Sequence, residues 1–271
     1  MTSKNKYNQF KPLYISAPSR SGSSLLVKML NYTDSIAIIN EPINSVDIID
    51  KNNIISIFQQ IQENLKHGFM IQRVDIKKGL EVSDTFPPSK IKWGILKRSS
   101  KNIQIAGMKK SFPAFSNKDF FMPFIQEWPS FVNWITKEQK GKVIVIVRDP
   151  RLTILSWKTT FKALKATTET QCNAWNLIAK TILSTNSDDI LIIRLEDLIS
   201  NQTKVIKNIE NYLKIKVKFR KPLFKIKHVS FNSYLKIKSE LIPNIDAEIK
   251  KIQKLCGKVA KNFGYSNIIC K

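Results

Sequence analysis

The chain has 271 residues, 42% apolar and 24% charged, which fits one large or two small globular domains and excludes a mainly disordered polymer. Lys and Arg number 45 against 21 Asp and Glu, a formal charge of +24, so anionic ligands are favoured over cationic ones. No apolar run approaches the roughly 20 residues of a membrane helix, no signal-length apolar stretch opens the chain, and Cys172, Cys256 and Cys270 cannot all pair; a reduced cytoplasm is the expected location.

Residues 1–11 are polar and read as a flexible tail before a domain over 12–271. Leu13-Tyr14-Ile15-Ser16-Ala17 predicts a short buried strand, broken by Pro18. Ser19-Arg20-Ser21-Gly22-Ser23-Ser24 reads as a loop, and the spacing of Leu25, Leu26, Met29 and Leu30 predicts a helix to about Tyr32. A second apolar run, Ile36 to Ile39, ends at Asn40-Glu41-Pro42. From 43 to 142 the pattern weakens into helical stretches near 54–65 and 118–136 between Pro- and Lys-rich loops. Lys142 to Val147 is a strong buried strand stopped by Asp149-Pro150, and helices follow from Leu152 and over 174–183. Ile190 to Ile193 predicts another strand closed by Glu196-Asp197, then a helix over 202–213, a lysine-rich stretch over 214–240 and a last helix near 246–262. Strands alternating with helices predict an α/β fold, a single domain with a central parallel sheet flanked by helices.

Lysine supplies 38 of the 45 basic residues and isoleucine occurs 39 times, a signature that coding bias alone can produce. Arginine is scarce, confined to Arg20, Arg73, Arg98, Arg148, Arg151, Arg194 and Arg220. A chain that defaults to lysine but keeps arginine points to planar, bidentate recognition of anions at those positions.

Strand, Ser-Arg-Ser-Gly-Ser-Ser loop and helix form the layout of an anion cradle. Backbone N–H groups in a tight turn and a helix N-terminus present converging donors. Gly22 allows close backbone approach, Ser23 and Ser24 add hydroxyl donors, and Arg20 supplies full charge. The alternative is a serine-rich turn in which Ser23 or Ser24 caps the helix. The loop is not a Walker A motif, because no Gly-Lys-Ser/Thr occurs and Lys28 lies inside the helix. Arg148-Asp149-Pro150-Arg151 forms a second basic cluster after a strand, with Ser156 eight residues beyond Arg148. Ligands of open α/β sheets bind outside the carboxyl ends of strands, so an arginine and a serine converging there make a second phosphate site. The alternative is a surface turn with Pro150 at the first position of a helix.

With these two motifs the chain resembles the sulfotransferases that use 3′-phosphoadenosine-5′-phosphosulfate (PAPS). Pro18 to Ser24 is similar to their 5′-phosphosulfate loop, in the arginine-bearing form of tyrosylprotein and several bacterial carbohydrate sulfotransferases, and Val147 to Ser156 to their 3′-phosphate motif. Leu195-Glu196-Asp197-Leu198 and Asn262-Phe263-Gly264-Tyr265 resemble two further family segments more weakly. The resemblance implies a P-loop-like nucleotide-binding architecture, PAPS as donor, no metal, and in-line transfer of a sulfuryl group to an acceptor hydroxyl. Arg20 and residues 21–24 would neutralise the leaving phosphate, and Arg148 and Ser156 would hold the 3′-phosphate.

The resemblance also implies Glu41, nineteen residues past Gly22, as general base, with a solvated glutamate before Pro42 as the alternative. It implies Lys109 near the transferred group and Ser230 in a late loop over the nucleotide. His67 reads as a helix C-terminal residue, and His228 as a weaker rival base. Leu195 departs from the pattern, since similar proteins often place an aromatic there near the adenine. Asp149, Glu196 and Asp197 read as structural carboxylates at helix starts or partners for nearby arginines.

A carbohydrate hydroxyl is the first expectation for the acceptor, ahead of a peptide tyrosine and of small alcohols or amines. A nucleotide hydrolase is disfavoured by the missing Walker lysine. A nucleic-acid-binding protein is the alternative of another class, because residues 214–227 interleave lysine with Phe219 and Phe224. The plainer reading of that stretch is an amphipathic strand pair with a solvated lysine face, so no nucleic-acid partner is expected. The sequence leaves the oligomeric state open.

Overall fold

Five parallel strands organise the chain, and the first shows why they are strands. Lys11–Pro18 (β1) buries its last six residues in succession, so both its faces are covered. The computed structural model describes residues 10–42, 51–75, 77, 91–112, 121–160, 166–185, 188–219, 235–236 and 238–265. Ser23–Asn31 (α1) leads to Ile36–Asn40 (β2), then Lys51–Lys66 (α2) and an antiparallel ribbon, Phe69–Asp75 (β3) with Ile91–Lys97 (β4). Ile105–Phe112 (β5) follows, then Phe121–Asn133 (α3), which continues as a π-helical turn over Trp134–Glu138. Lys142–Val147 (β6), Pro150–Thr160 (α4), Thr168–Leu183 (α5), Ile190–Arg194 (β7), Leu195–Ser200 (α6), Gln202–Leu213 (α7) and Ile245–Lys261 (α8) complete the described elements.

The sheet runs β2-β5-β1-β6-β7, all parallel, with helices on both sides. Alternation along the strands divides the core in two. Tyr14, Ala37, Met108, Val143 and Val145 face α2, α3, α4, α5 and α8, whereas Leu13, Ile15, Ile38, Ile144 and Ile146 face α1, α6 and α7. Each such branched side chain contributes about 1.5–3 kcal/mol on burial.

The expected parallel α/β sheet is present, but β3, β4 and β5 lie where the sequence pattern gave only helical stretches and loops. In β5 the apolar alternation is interrupted by Lys109 and Lys110, both buried. Gly107 permits its position between β2 and β1, since a Cβ there would lie 2.2 Å from the carbonyl oxygen of Leu13 on β1. In the described residues 214–219 of the lysine-rich stretch, the solvated lysine face of the plainer reading is present but no strand pair is. Ile215 and Val217 pack against the core while Lys214, Lys216 and Lys218 are exposed, and Phe219 forms a bridge with Thr33.

Candidate active site

The carboxyl ends of the parallel strands share one edge of the sheet, and Arg20 to Ser24, Glu41, Lys109, Arg148 and Ser156 gather there. The loop from β1 into α1 turns through two left-handed residues, Arg20 (φ 69°) and Gly22 (φ 82°). Only glycine takes this region without cost, and a Cβ at Gly22 would also lie 2.4 Å from Cδ1 of Leu195. Leu195, the residue that departs from the family pattern, therefore supports the loop from beneath.

Gly22 is the N-cap of α1, and no side chain caps the helix. The capping role open to Ser23 and Ser24 is not what they perform. The Ser23 hydroxyl lies 3.1 Å from that of Ser111, and the Ser24 hydroxyl accepts from Asn40 Nδ2 and Lys109 Nζ, each at 3.4 Å. The hydroxyl of Ser21 is fully buried with no hydrogen-bond partner among the described residues. An uncapped helix start, a buried unmatched hydroxyl and an adjacent guanidinium fit an anionic group.

Arg20 donates through Nε to Ser156 Oγ at 3.1 Å, and Arg148 Nη1 donates to the carbonyl of Arg20 at 3.2 Å. Trp157 Nε1 donates to the carbonyl of Ser19 at 2.8 Å, so α4 holds the loop from its other side. Lys238 joins the group, donating to Thr159 Oγ1 at 2.5 Å. Burial, then the positive charges of Arg20 and Arg148, lower its pKa from the ordinary lysine value. Sequence reading missed Lys238, since nothing distinguished it from 37 other lysines.

Glu41 stands just past the end of β2 with φ 50°. Its backbone N–H donates to the carbonyl of Lys109 at 2.9 Å, and its carboxylate turns back onto β5. Oε1 receives Lys109 Nζ at 2.6 Å and the Ser111 N–H at 3.0 Å, while Oε2 lies 3.4 Å from Lys110 Nζ. Glu41 is therefore not a solvated glutamate; its side chain is 14% exposed, against 1% for Lys109 and 7% for Lys110. Tyr14 lies near enough that its pKa is raised first by burial and then by the Glu41 charge.

Other arginines have different tasks. Arg98 is buried and donates to the carbonyls of Asn31, Thr33 and Ile36, fastening the turn between α1 and β2. Arg151 pairs with Asp149 at 2.5 Å and Arg194 with Asp197 at 2.5 Å. Glu196 accepts from the N–H of Asp149 at 3.0 Å and from the Tyr265 hydroxyl at 2.8 Å. Burial raises the Glu196 pKa above the ordinary glutamate value despite these donors, and burial followed by Glu196 raises that of Tyr265. These carboxylates have the structural surroundings that their helix-start positions imply. His67 is exposed and lies 3.1 Å from Glu63, away from this group; Ser230 and His228 lie outside the described residues.

The family model described as a sulfotransferase domain matches residues 11–254. The chain belongs to the sulfotransferase family. The loop, the Arg148 motif and Glu41 all fall inside the matched span. Solved sulfotransferase structures similar to it include the domain from the Synechococcus PCC 7002 olefin synthase, at 16% identity and TM-score 0.45, with 96% of each chain covered. The sulfotransferase domain from the curacin biosynthetic pathway is 14% identical, with TM-score 0.46 and 95% of this chain and 98% of that one covered. Mouse sulfotransferase SULT7A1 complexed with PAP is 15% identical, with TM-score 0.40 and coverage of 96% and 67%. Comparison with curated proteins gives no match. Among the described residues, no group of His, Cys, Asp and Glu gathers as a metal site, and no helix is long and apolar enough to cross a membrane.

Proposed function

We propose that this sulfotransferase moves the sulfuryl group of PAPS in line to a hydroxyl of a carbohydrate, with Glu41 as general base. The observation that carries the reading is the Glu41 carboxylate beside Lys109, one strand away from the loop of Arg20 to Ser24. PAPS supplies an activated sulfuryl group whose leaving group is a phosphate. Arg20, the N–H groups of 21–24 and the uncapped start of α1 neutralise that phosphate as the bond breaks. Arg148, Ser156 and Lys238 hold the 3′-phosphate and so fix the register of the donor by binding remote from the reacting atoms. Lys109 offsets charge building on the sulfuryl oxygens, and Glu41 takes the acceptor's proton. The +24 charge favours an acidic polysaccharide over a neutral one. The partly buried setting of Phe219 speaks against base stacking.

Calorimetric titration with 3′-phosphoadenosine-5′-phosphate, ATP and a short single-stranded DNA at about 0.15 M salt tests the donor side. Tight one-to-one binding of the bisphosphate with much weaker ATP is expected; salt-sensitive binding of DNA alone would overturn the reading. Labelled sulfuryl transfer across acidic polysaccharides, neutral polysaccharides and tyrosine peptides tests the acceptor. Label on a peptide alone would replace the carbohydrate assignment. Glu41→Gln should leave bisphosphate binding intact and cut turnover by about 10²–10⁴-fold.

A further inference from the structure

Consecutive residues of a strand point to opposite faces, yet Lys109 and Lys110 reach the same carboxylate. The end of β2 explains how. The β2–β5 register closes at Asn40 opposite Lys109, and the Glu41 N–H to the Lys109 carbonyl is the last backbone bond. The next donor of β5, the N–H of Ser111, donates to Glu41 Oε1 instead of to a backbone carbonyl. The carboxylate thus occupies the place where β2 would have continued. It sits at the margin of the sheet, where a lysine from each face of β5 can reach it.

The two oxygens are unequally engaged. Oε1 accepts a short bond from Lys109 and a backbone N–H, whereas Oε2 has the longer, 3.4 Å contact with Lys110. We infer that Oε2 is the proton-accepting atom and that Lys110 is a positioning residue that aims it. The inference rests on the reading of Glu41 as base.

Three groups on consecutive residues fix the carboxylate against rotation, and a non-glycine residue with φ 50° needs such restraint. Lys109 and Ser111 anchor Oε1 and define a hinge; Lys110 stops the group turning about it. An acceptor hydroxyl approaching Oε2 shares that oxygen with the longer lysine contact and leaves the two shorter bonds in place. Lys110 therefore acts through Glu41, while the contacts at the Ser24 hydroxyl and Oε1 tie Lys109 to the donor loop.

The test compares Lys110→Met, Lys110→Arg, Glu41→Gln and the double variant Lys110→Met/Glu41→Gln. PAPS turnover to the bisphosphate is followed with water as acceptor, and bisphosphate affinity is measured alongside. Lys110→Met should lower kcat by about 10²-fold, the scale of a misplaced reacting group, with KM for PAPS and bisphosphate affinity unchanged. Lys110→Arg, which keeps the charge, should recover most of that loss. In the Glu41→Gln background the Met substitution should have no further effect, because the two residues act as one unit. Multiplicative losses in the double variant, or a Lys110→Met enzyme with normal kcat, would overturn the role of Lys110. Should Lys110→Met fail to fold, Lys110→Arg decides: kcat lowered about 10²-fold with the charge retained would also overturn it. Normal turnover in Glu41→Gln alone would overturn the base assignment itself, so the two failures are separable.

Discussion

Arg20 Nε donates to the hydroxyl of Ser156, 3.1 Å away and 136 residues later in the chain. The bond joins the loop after β1 to helix α4, so the two basic motifs form one surface. Ser156 meets the proposed 3′-phosphate and orients the arginine that meets the 5′ side. Ser156→Ala should therefore weaken bisphosphate binding by about 10–100-fold, the scale of one hydrogen bond to a charged group. Calorimetry reads this directly. An unchanged dissociation constant would separate Ser156 from the donor site.

Gly22 is constrained twice, by its left-handed backbone and by Leu195 beneath it. Gly22→Ala should cost about 1–2 kcal/mol for the backbone alone, with more for the contact at Leu195. Bisphosphate affinity should fall with stability, because the displaced segment carries the converging N–H groups. Urea unfolding and calorimetry on the same preparation measure both. A stable variant with normal affinity would show that the turn relaxes freely.

Arg98 tests a different use of arginine. Its guanidinium serves three carbonyls around the end of α1, and no carboxylate among the described residues pairs with it. Arg98→Met should leave those carbonyls short of donors and cost about 3 kcal/mol or more in unfolding free energy. Arg98→Lys should recover only part, because one ammonium cannot reproduce the planar fork. Relative affinity for the bisphosphate over ATP should be unaffected in folded protein.

Tyr265 donates to a carboxylate whose pKa is raised by burial, which sets the sign of a pH effect. A raised folded pKa contributes stability that is fully present below the ordinary glutamate value of 4.5 and lost as pH rises through the folded value. Above that window Glu196 is ionised and depends most on its donors. Tyr265→Phe should therefore cost about 1.5–3 kcal/mol at neutral pH and clearly less near pH 4, where the carboxyl is protonated. Urea titrations at the two pH values check this; an equal loss at both would assign Tyr265 a packing role only.

The legible parts of the fold were the strands that read as unbroken apolar runs. β1, β6 and β7 read directly because no charge interrupts them, and the two loops stood out through scarce residues, Gly22, Arg20 and Arg148. β5 was illegible for a reason tied to chemistry. Its paired lysines break the apolar alternation that marks a buried strand, and the carboxylate of Glu41, distant in sequence, pairs with both where they are buried. Lys238 was hidden by composition, and the reason for Leu195 became visible only once it lay under Gly22.

The strand order has a consequence for how this enzyme can change. Across the sheet, β7 and β6 lead into Leu195 and Arg148, β1 into the arginine loop, and β5 and β2 carry Lys109 and Glu41. On the proposed roles, nucleotide recognition would fall on one flank and proton removal on the other, with the reacting bond above the middle strand. Insertions or exchanges after β2, or between the ribbon and β5, would alter what is sulfated while the donor's seat keeps its dimensions. Retargeting such a scaffold becomes a matter of grafting one margin rather than redesigning the whole.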